Sequence, residues 1–305
     1  MKIILSRKGF DQGSGGGPSP IFPDGTMVSL PIPDGRTARR YADIRHSSWD
    51  IGEVVRDMSS GKYGARSYVH LDPDLERDRA LRIEGWRPAF GQTGAAQSHL
   101  AGMGVGQGDL FLFFGWFADI ERSDAGRWKR QRGGRSVHAI HGWMQVGEVI
   151  DLQSGDPANW SHHPWLASHP HVGRGPERGN TIYIATERLK LPTVESPDLE
   201  GGGHFETAGD ELVLSAAGSK HKSVWSMPDF FDPESGRRLS YHTDLRRWSR
   251  DIDGLKLRTV GRGQEFVIDV GEDNAALSWI AAIFRAEVRR RVSRRERDAA
   301  QNPRS

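Results

Sequence analysis

The sequence predicts an α+β fold: a mixed, mainly antiparallel sheet followed by one long C-terminal helix. Short β-type runs recur at residues 2–5, 110–117, 138–152, 180–185, 211–215 and 263–269, most of them bounded by Gly, Pro or Asp. Helical patterns stay short until Asp273. After it Trp279, Ile280, Ile283, Phe284, Val288 and Val292 make one long apolar stripe. The chain carries 37 Gly and 16 Pro in 305 residues, too many breakers for other long helices.

Composition narrows the function classes. Hydrophobic residues are 36% and charged residues 27%, the balance of a folded globular chain. The absence of cysteine excludes disulfides, thiolate nucleophiles, iron–sulfur clusters and Cys-type zinc sites. Net charge is only +2, yet arginine is gathered in blocks, so a basic face rather than a basic protein is expected. No apolar run approaches the ~20 residues of a membrane helix. The N-terminus has no cleavable signal pattern, and a cytoplasmic location without membrane partners is expected.

The first strand, residues 2–5, empties into Arg7, Lys8, Asp11 and a run of glycines ending at Pro18. Glycines there let backbone N–H groups approach a ligand. No Gly-Lys-Ser/Thr closes the run, so it is not a phosphate-binding Walker loop. Arg36, Arg39, Arg40 and Arg45 precede Trp49 and a short helical pattern at residues 51–58. His70, Asp72 and Asp74 form a candidate metal trio, with capping of segment 75–81 as the plainer reading. Thr93 caps a predicted helix from Gly94 to about Leu100. Gln92 and Gln97 beside it offer the paired donor and acceptor that suit a base edge.

Two core strands follow, 110–117 and 138–152, joined by a polar interval with Arg122, Arg127, Trp128, Lys129, Arg130, Arg132 and Arg135. Cations around one aromatic ring suit a nucleic-acid strand, against the alternative of a solvated loop. Trp116 and Gln145 on the strands, and Tyr183 on the next, are further candidates to touch a base. Residues 159–171 hold His162, His163, His169 and His171. His169 and His171 are the weak candidates for a shared metal, and no metal is assigned. Residues 190–203 read as a linker or lid. Arg246 and Arg247 repeat the cationic–aromatic theme. Gln264 and Glu265 on the last strand could read a guanine-type edge. The helix after Asp273 carries seven arginines between Arg285 and Arg297, either a solvated face or a DNA-contacting arm.

The hairpin resembles the one at the heart of PUA-like domains, through Gly108-Asp109-Leu110-Phe111-Leu112-Phe113 and Gly147-Glu148-Val149-Ile150. That resemblance implies a PUA-like β-barrel core over about residues 90–215, with a base pocket beside the hairpin. On pattern alone an ordinary core hairpin remains the alternative. A wider resemblance runs from residue 2 to about 270. It rests on Lys2-Ile3-Ile4-Leu5-Ser6-Arg7-Lys8-Gly9-Phe10-Asp11, His70-Leu71-Asp72-Pro73-Asp74, the segment from Phe90 to Leu100, Ser240-Tyr241-His242 and Gly263-Gln264-Glu265-Phe266. The chain is identified on these as similar to the third family of nucleotide modification associated domains. The resemblance implies a role in hypermodifying DNA bases, with DNA and other modification proteins as partners. One domain is expected over 1–270, with a basic helix and tail over 271–305.

Two functions follow as expectations. In the first the protein is an enzyme that takes a flipped base, for example a 7-deazaguanine derivative, and works by hydrolytic or acid–base chemistry. With cysteine absent, that work falls to Asp11, Lys8, His204, His242 and Glu265. Gln92, Gln97, Trp116, Gln145, Tyr183 and Gln264 would hold the base. Arg7, Arg127, Trp128, Lys129, Arg130, Arg132, Arg246 and Arg247 would hold DNA. No cofactor is required by the sequence. In the second the protein reads a modified base without chemistry.

Overall fold

The structure, a computed structural model, describes residues 1–192, 199–261 and 265–301, with 294–301 as backbone only. In chain order the strands are β1 (Lys2–Arg7), β2 (Ser19–Ile21), β3 (Ile32–Pro33), β4 (Val69–His70), β5 (Ala89–Gln92), β6 (Leu110–Arg122) and β7 (Trp128–Arg130). Then come β8 (Ser136–Asp151), β9 (Thr181–Ala185), β10 (Gly202–His204), β11 (Val224–Met227), β12 (Trp248–Asp251), β13 (Gly254–Arg258) and β14 (Glu265–Asp269). The helices are α1 (Ile51–Met58), α2 (Gly94–Gly102) and α3 (Asn274–Gln301). Asp50 caps α1 by accepting from Glu53 N, and Asp273 accepts from Ala276 N at the start of α3.

The main sheet runs β14-β1-β6-β8-β9-β5, with β10 on β8 and β2 and β7 on β6. The predicted β6–β8 pair is its antiparallel centre. β1 and β2 both join β6 in parallel, a non-local pairing that no hairpin signal announces. The expected strand at 211–215 is instead a 3-10 turn with single bridges to β8 and β11.

Long strands with bulges curl the sheet. Phe113 faces Gly142 but Phe114 faces Ile140, leaving His141 as the extra residue; Gly147 is the extra residue between β8 and β9. A Cβ on Gly147 would sit 2.9 Å from Thr186 N and 3.0 Å from Ala185 O, so this bulge needs glycine. Among the described residues no ladder joins β5 to β14, so the strand pairing does not bear out closure into the expected PUA-like barrel. The two ends of the sheet still meet through side chains: Gln92 Nε2 donates to Glu265 Oε1 at 2.7 Å.

Inside the curl, Ile4, Phe90, Phe111, Phe113, Met144, Tyr183 and Val267 form one apolar cluster, capped by Leu100 of α2. On the outer face Leu5, Phe114, Trp143 and Ile268 pack with Ile280, Ile283 and Phe284 of α3 and with Trp225 and Leu257 of the β11-β13-β12 sheet. The helix stripe therefore does as predicted, except that Val292 is exposed. Arg290 and Arg291 turn back to Glu211 and Glu287, while Arg285 and Arg289 face solvent. No helix among the described residues is long and apolar enough to cross a membrane.

Candidate functional site

Alternation along the strands sets the site. Ser6 and Lys8 follow Ile4 on the inward face, Gln92 follows Phe90, and Glu265 precedes Val267. One end of the curled sheet thus changes from aromatic to polar. Lys8 Nζ lies 2.8 Å from Glu265 Oε1 and 4.4 Å above the Phe90 ring. Lys8 and Gln92 both donate to that one oxygen; among the described residues Glu265 Oε2 is buried without a hydrogen-bond partner.

The glycine loop after β1 is ordered by its own chemistry. Phe10 is buried in a second core with Tyr41, and Asp11 Oδ1 accepts from Ser14 N at 2.7 Å. Gly15 has φ +109°, and a Cβ there would lie 2.4 Å from the Phe10 ring. The loop borders two cavities. The smaller, about 180 Å³, is walled by Arg7, Lys8, Asp11, Gln92 and the cluster of His70, Asp72 and His171. The larger, about 510 Å³, shares Arg7, Lys8 and Asp11 and extends to Trp116 and Lys222. Together they make one groove.

At its outer end Lys222 Nζ stands 4.0 Å over the Trp116 ring, with Arg130 at 5.8 Å. Burial, and then the charges of Arg130 and Arg7, push the Lys222 pKa down. Crowded cations of this kind are a site for an anion such as a phosphate.

At the inner end Asp72 sits among three imidazoles. Its Oδ1 accepts from Gly91 N at 2.8 Å and lies 3.4 Å from His169 Nε2. Its Oδ2 lies 3.6 Å from both His70 Nε2 and His171 Nε2. Burial opposes its charge, but His169 and His70 outweigh this and hold the carboxyl well below the usual range. A Cβ on Gly91 would lie 2.4 Å from the His171 ring, so only glycine lets β5 approach this closely. Of these, His70, Asp72 and His171 could hold a metal, as could Glu148, His162 and His163 elsewhere.

The expected site residues divide. Arg7, Lys8, Asp11, Gln92 and Trp116 line the two cavities; Glu265 lies buried behind Lys8 and Gln92, and Arg130 stands beside the Trp116 ring. His204 lies in a separate small cavity, 3.7 Å from Glu76. His242 is buried with both ring nitrogens engaged, Nδ1 toward Ser240 O and Nε2 accepting from Val260 N. It is a structural residue. Gln97 accepts from the Tyr183 hydroxyl, and both are buried in the core rather than facing a base. Gln145 closes on Lys190 N and O. Trp128 was expected to stack a base. It is instead buried against Phe22 and Trp49, with Arg122 over it at 4.0 Å, because β7 pairs back on β6.

Lys129 pairs with Glu121, Arg246 with Asp244, and Arg247 with Arg258 O; Arg127 and Arg132 are exposed. Gln264 and residues 193–198 of the expected lid lie outside the described residues. Asp74 leaves the predicted metal trio for Arg82, and His171 stands where it was expected. Lys222, in a cationic patch that leads into aromatics along the chain, had no site role assigned; the ring it meets is Trp116, brought to it from β6.

No curated protein and no solved structure matches this chain. A family model does, that of nucleotide modification associated domain 3, over residues 2–269, which include every strand and the whole groove, and the chain belongs to that family.

Proposed function

We propose that this protein is an enzyme that alters a nucleobase in DNA, with the base held in the smaller cavity and its strand laid along the groove. Family membership supports the nucleotide; the site supports the chemistry. The observation that carries the reading is Glu265, buried to 1% exposure behind Lys8 and Gln92 of the cavity wall, with one oxygen doubly satisfied and the other without a hydrogen-bond partner among the described residues. Buried acceptors are rarely left so. An N–H of a guanine-type edge, 7-deazaguanine derivatives included, would complete it. Lys8 and Asp11 stand in the same wall as proton donor and acceptor. At ~30 Å³ per water the smaller cavity holds about six waters, space for a base that has left its stack.

A reader without chemistry would grip the base between aromatic rings. Among the described residues no Phe, Tyr or Trp lines the smaller cavity, and its titratable groups exceed what binding needs. Nucleoside mass spectrometry tests this on DNA from cells carrying the native gene neighbourhood. With Glu265→Gln, a precursor base is expected to accumulate as it does on deletion. An unchanged base inventory in the deletion would return the protein to the reader class.

The groove predicts its own salt dependence. Arg130→Glu with Lys222→Glu is expected to weaken DNA binding and lower the slope of log K against log salt by about 1.4 to 1.8, at ~0.7 to 0.9 per phosphate contact. Arg246→Glu with Arg247→Glu, away from the groove, should leave the slope unchanged. Equal effects from both pairs would remove the groove from DNA binding.

A further inference from the structure

We propose that His70, Asp72 and His171 bind a divalent first-row transition ion through His70 Nε2, Asp72 Oδ2 and His171 Nε2, with its open coordination positions toward the smaller cavity. The inference stands on local geometry and does not depend on the proposed reaction.

The hydrogen bonds assign the protons. Asn180 Nδ2 donates to His171 O at 2.9 Å, and a backbone carbonyl only accepts. Asn180 Oδ1 is therefore the atom 2.9 Å from His171 Nδ1, and that nitrogen carries the hydrogen. With its hydrogen on Nδ1, the neutral ring carries its lone pair on Nε2. This lone pair faces Asp72 Oδ2, another acceptor, at 3.6 Å. Two acceptors facing each other in a buried place call for a cation between them.

The surroundings orient the same three atoms. His169 Nδ1 accepts from His171 N, which puts the His169 hydrogen on Nε2, toward Asp72 Oδ1. Gly91 N–H donates to that oxygen, while His169 Nε2, 3.4 Å away, makes no hydrogen bond among the described residues; Oδ2 is the oxygen left over. His70 Nδ1 lies 3.4 Å from Asp34 Oδ2, with no hydrogen bond formed among the described residues, and its Nε2 turns to Asp72. The three ligand atoms lie within 4.8 Å of one another. Atoms each ~2.1 Å from one ion are about 3.0 Å apart at a right angle and about 3.4 Å apart at the tetrahedral angle, close to the 3.6 Å separations seen. Two imidazoles and one carboxylate favour iron, manganese, cobalt or zinc over calcium or magnesium. The other open face is the cavity wall of Lys8, Asp11 and Gln92.

Glu148, His162 and His163 are a rival cluster of the same composition. There each histidine Nε2 already meets its own Glu148 oxygen, at 3.1 and 2.8 Å, on an exposed strand end, so no unmet acceptor is present. It serves as the control.

The test is Co²⁺ titration of the full chain, read by visible absorption and by metal content after dialysis, without DNA or substrate. One tightly held ion per chain is expected, retained in His163→Gln. His171→Gln and Asp72→Asn should lose it. Asn180→Ala should weaken it about 10- to 100-fold by releasing the ring. Loss in His163→Gln with retention in His171→Gln would overturn the assignment, as would no bound ion in the unaltered protein. Should the ligand variants not fold, Cu²⁺-loaded His163→Gln protein decides, because there the rival cluster keeps only one imidazole. Spin-echo modulation from two imidazoles is expected, and modulation from none or one would overturn the proposal.

Discussion

Lowering the pH from 7 to 5 is expected to destabilise this protein by about 2 kcal/mol for each of His138, His141 and His242. Burial pushes their pKa values down, to about 3 for His138 and His141 and about 4 for His242. The bonding agrees. His138 Nδ1 accepts from the Trp225 indole N–H, which only donates, and His242 Nε2 accepts from Val260 N. A proton on either nitrogen would break its bond. Unfolded histidine titrates near ~6.5. Above that pH both states are neutral and the stability is fully present. Below it the unfolded chain takes up protons that the native state refuses, and about 1.4 kcal/mol per group is lost for each pH unit. Three groups over ~1.5 units sum to about 6 kcal/mol, a large part of the ~5–15 kcal/mol of a whole domain. Urea midpoints at pH 7, 6 and 5 check this. A midpoint that stays level to pH 5 would show that these rings gain protons in the native state.

Lys8→Met is expected to cost about 3 kcal/mol. It leaves the Glu265 carboxylate buried without its counter-charge, and breaking a buried pair costs ~3–5 kcal/mol. The lower end applies because Lys8 is 11% exposed at a cavity that water can enter. Lys8→Met with Glu265→Leu should regain most of the loss, since an apolar pair of similar size replaces two charges. Both variants should lack modification activity. Urea unfolding of the single and double variants separates the two roles. A double variant as unstable as the single one would mean that Glu265 holds the seam by other contacts.

The local signals were readable because they are chain-neighbour effects. β1 and β9 follow from short apolar runs between turns, and the β6–β8 pair from two runs around a polar interval. α1 follows from the short helical pattern after Trp49, and α3 from a stripe that repeats every three to four residues. The groove was partly readable for the same reason: Lys8 and Asp11 stand beside glycines, and Gln92 stands at a strand end. The family resemblance spanned the same residues that the family model matches.

Sequence alone therefore determined the long core strands and the C-terminal helix, the absence of thiol chemistry and the short stretches from which the groove is drawn. Tertiary structure alone decided partners. The parallel seat of β1 on β6 joins residues more than 100 apart, and the curl that brings Gln92 to Glu265 spans 173. Asp72 lies between His70, two residues away, and His171, which no local pattern links to it. Trp128 looked like an exposed ring because its neighbours are cationic, yet pairing of β7 buried it. Periodicity reports which face a residue takes within its own element. It carries no information on which distant element will meet that face, and this site is made where distant elements meet.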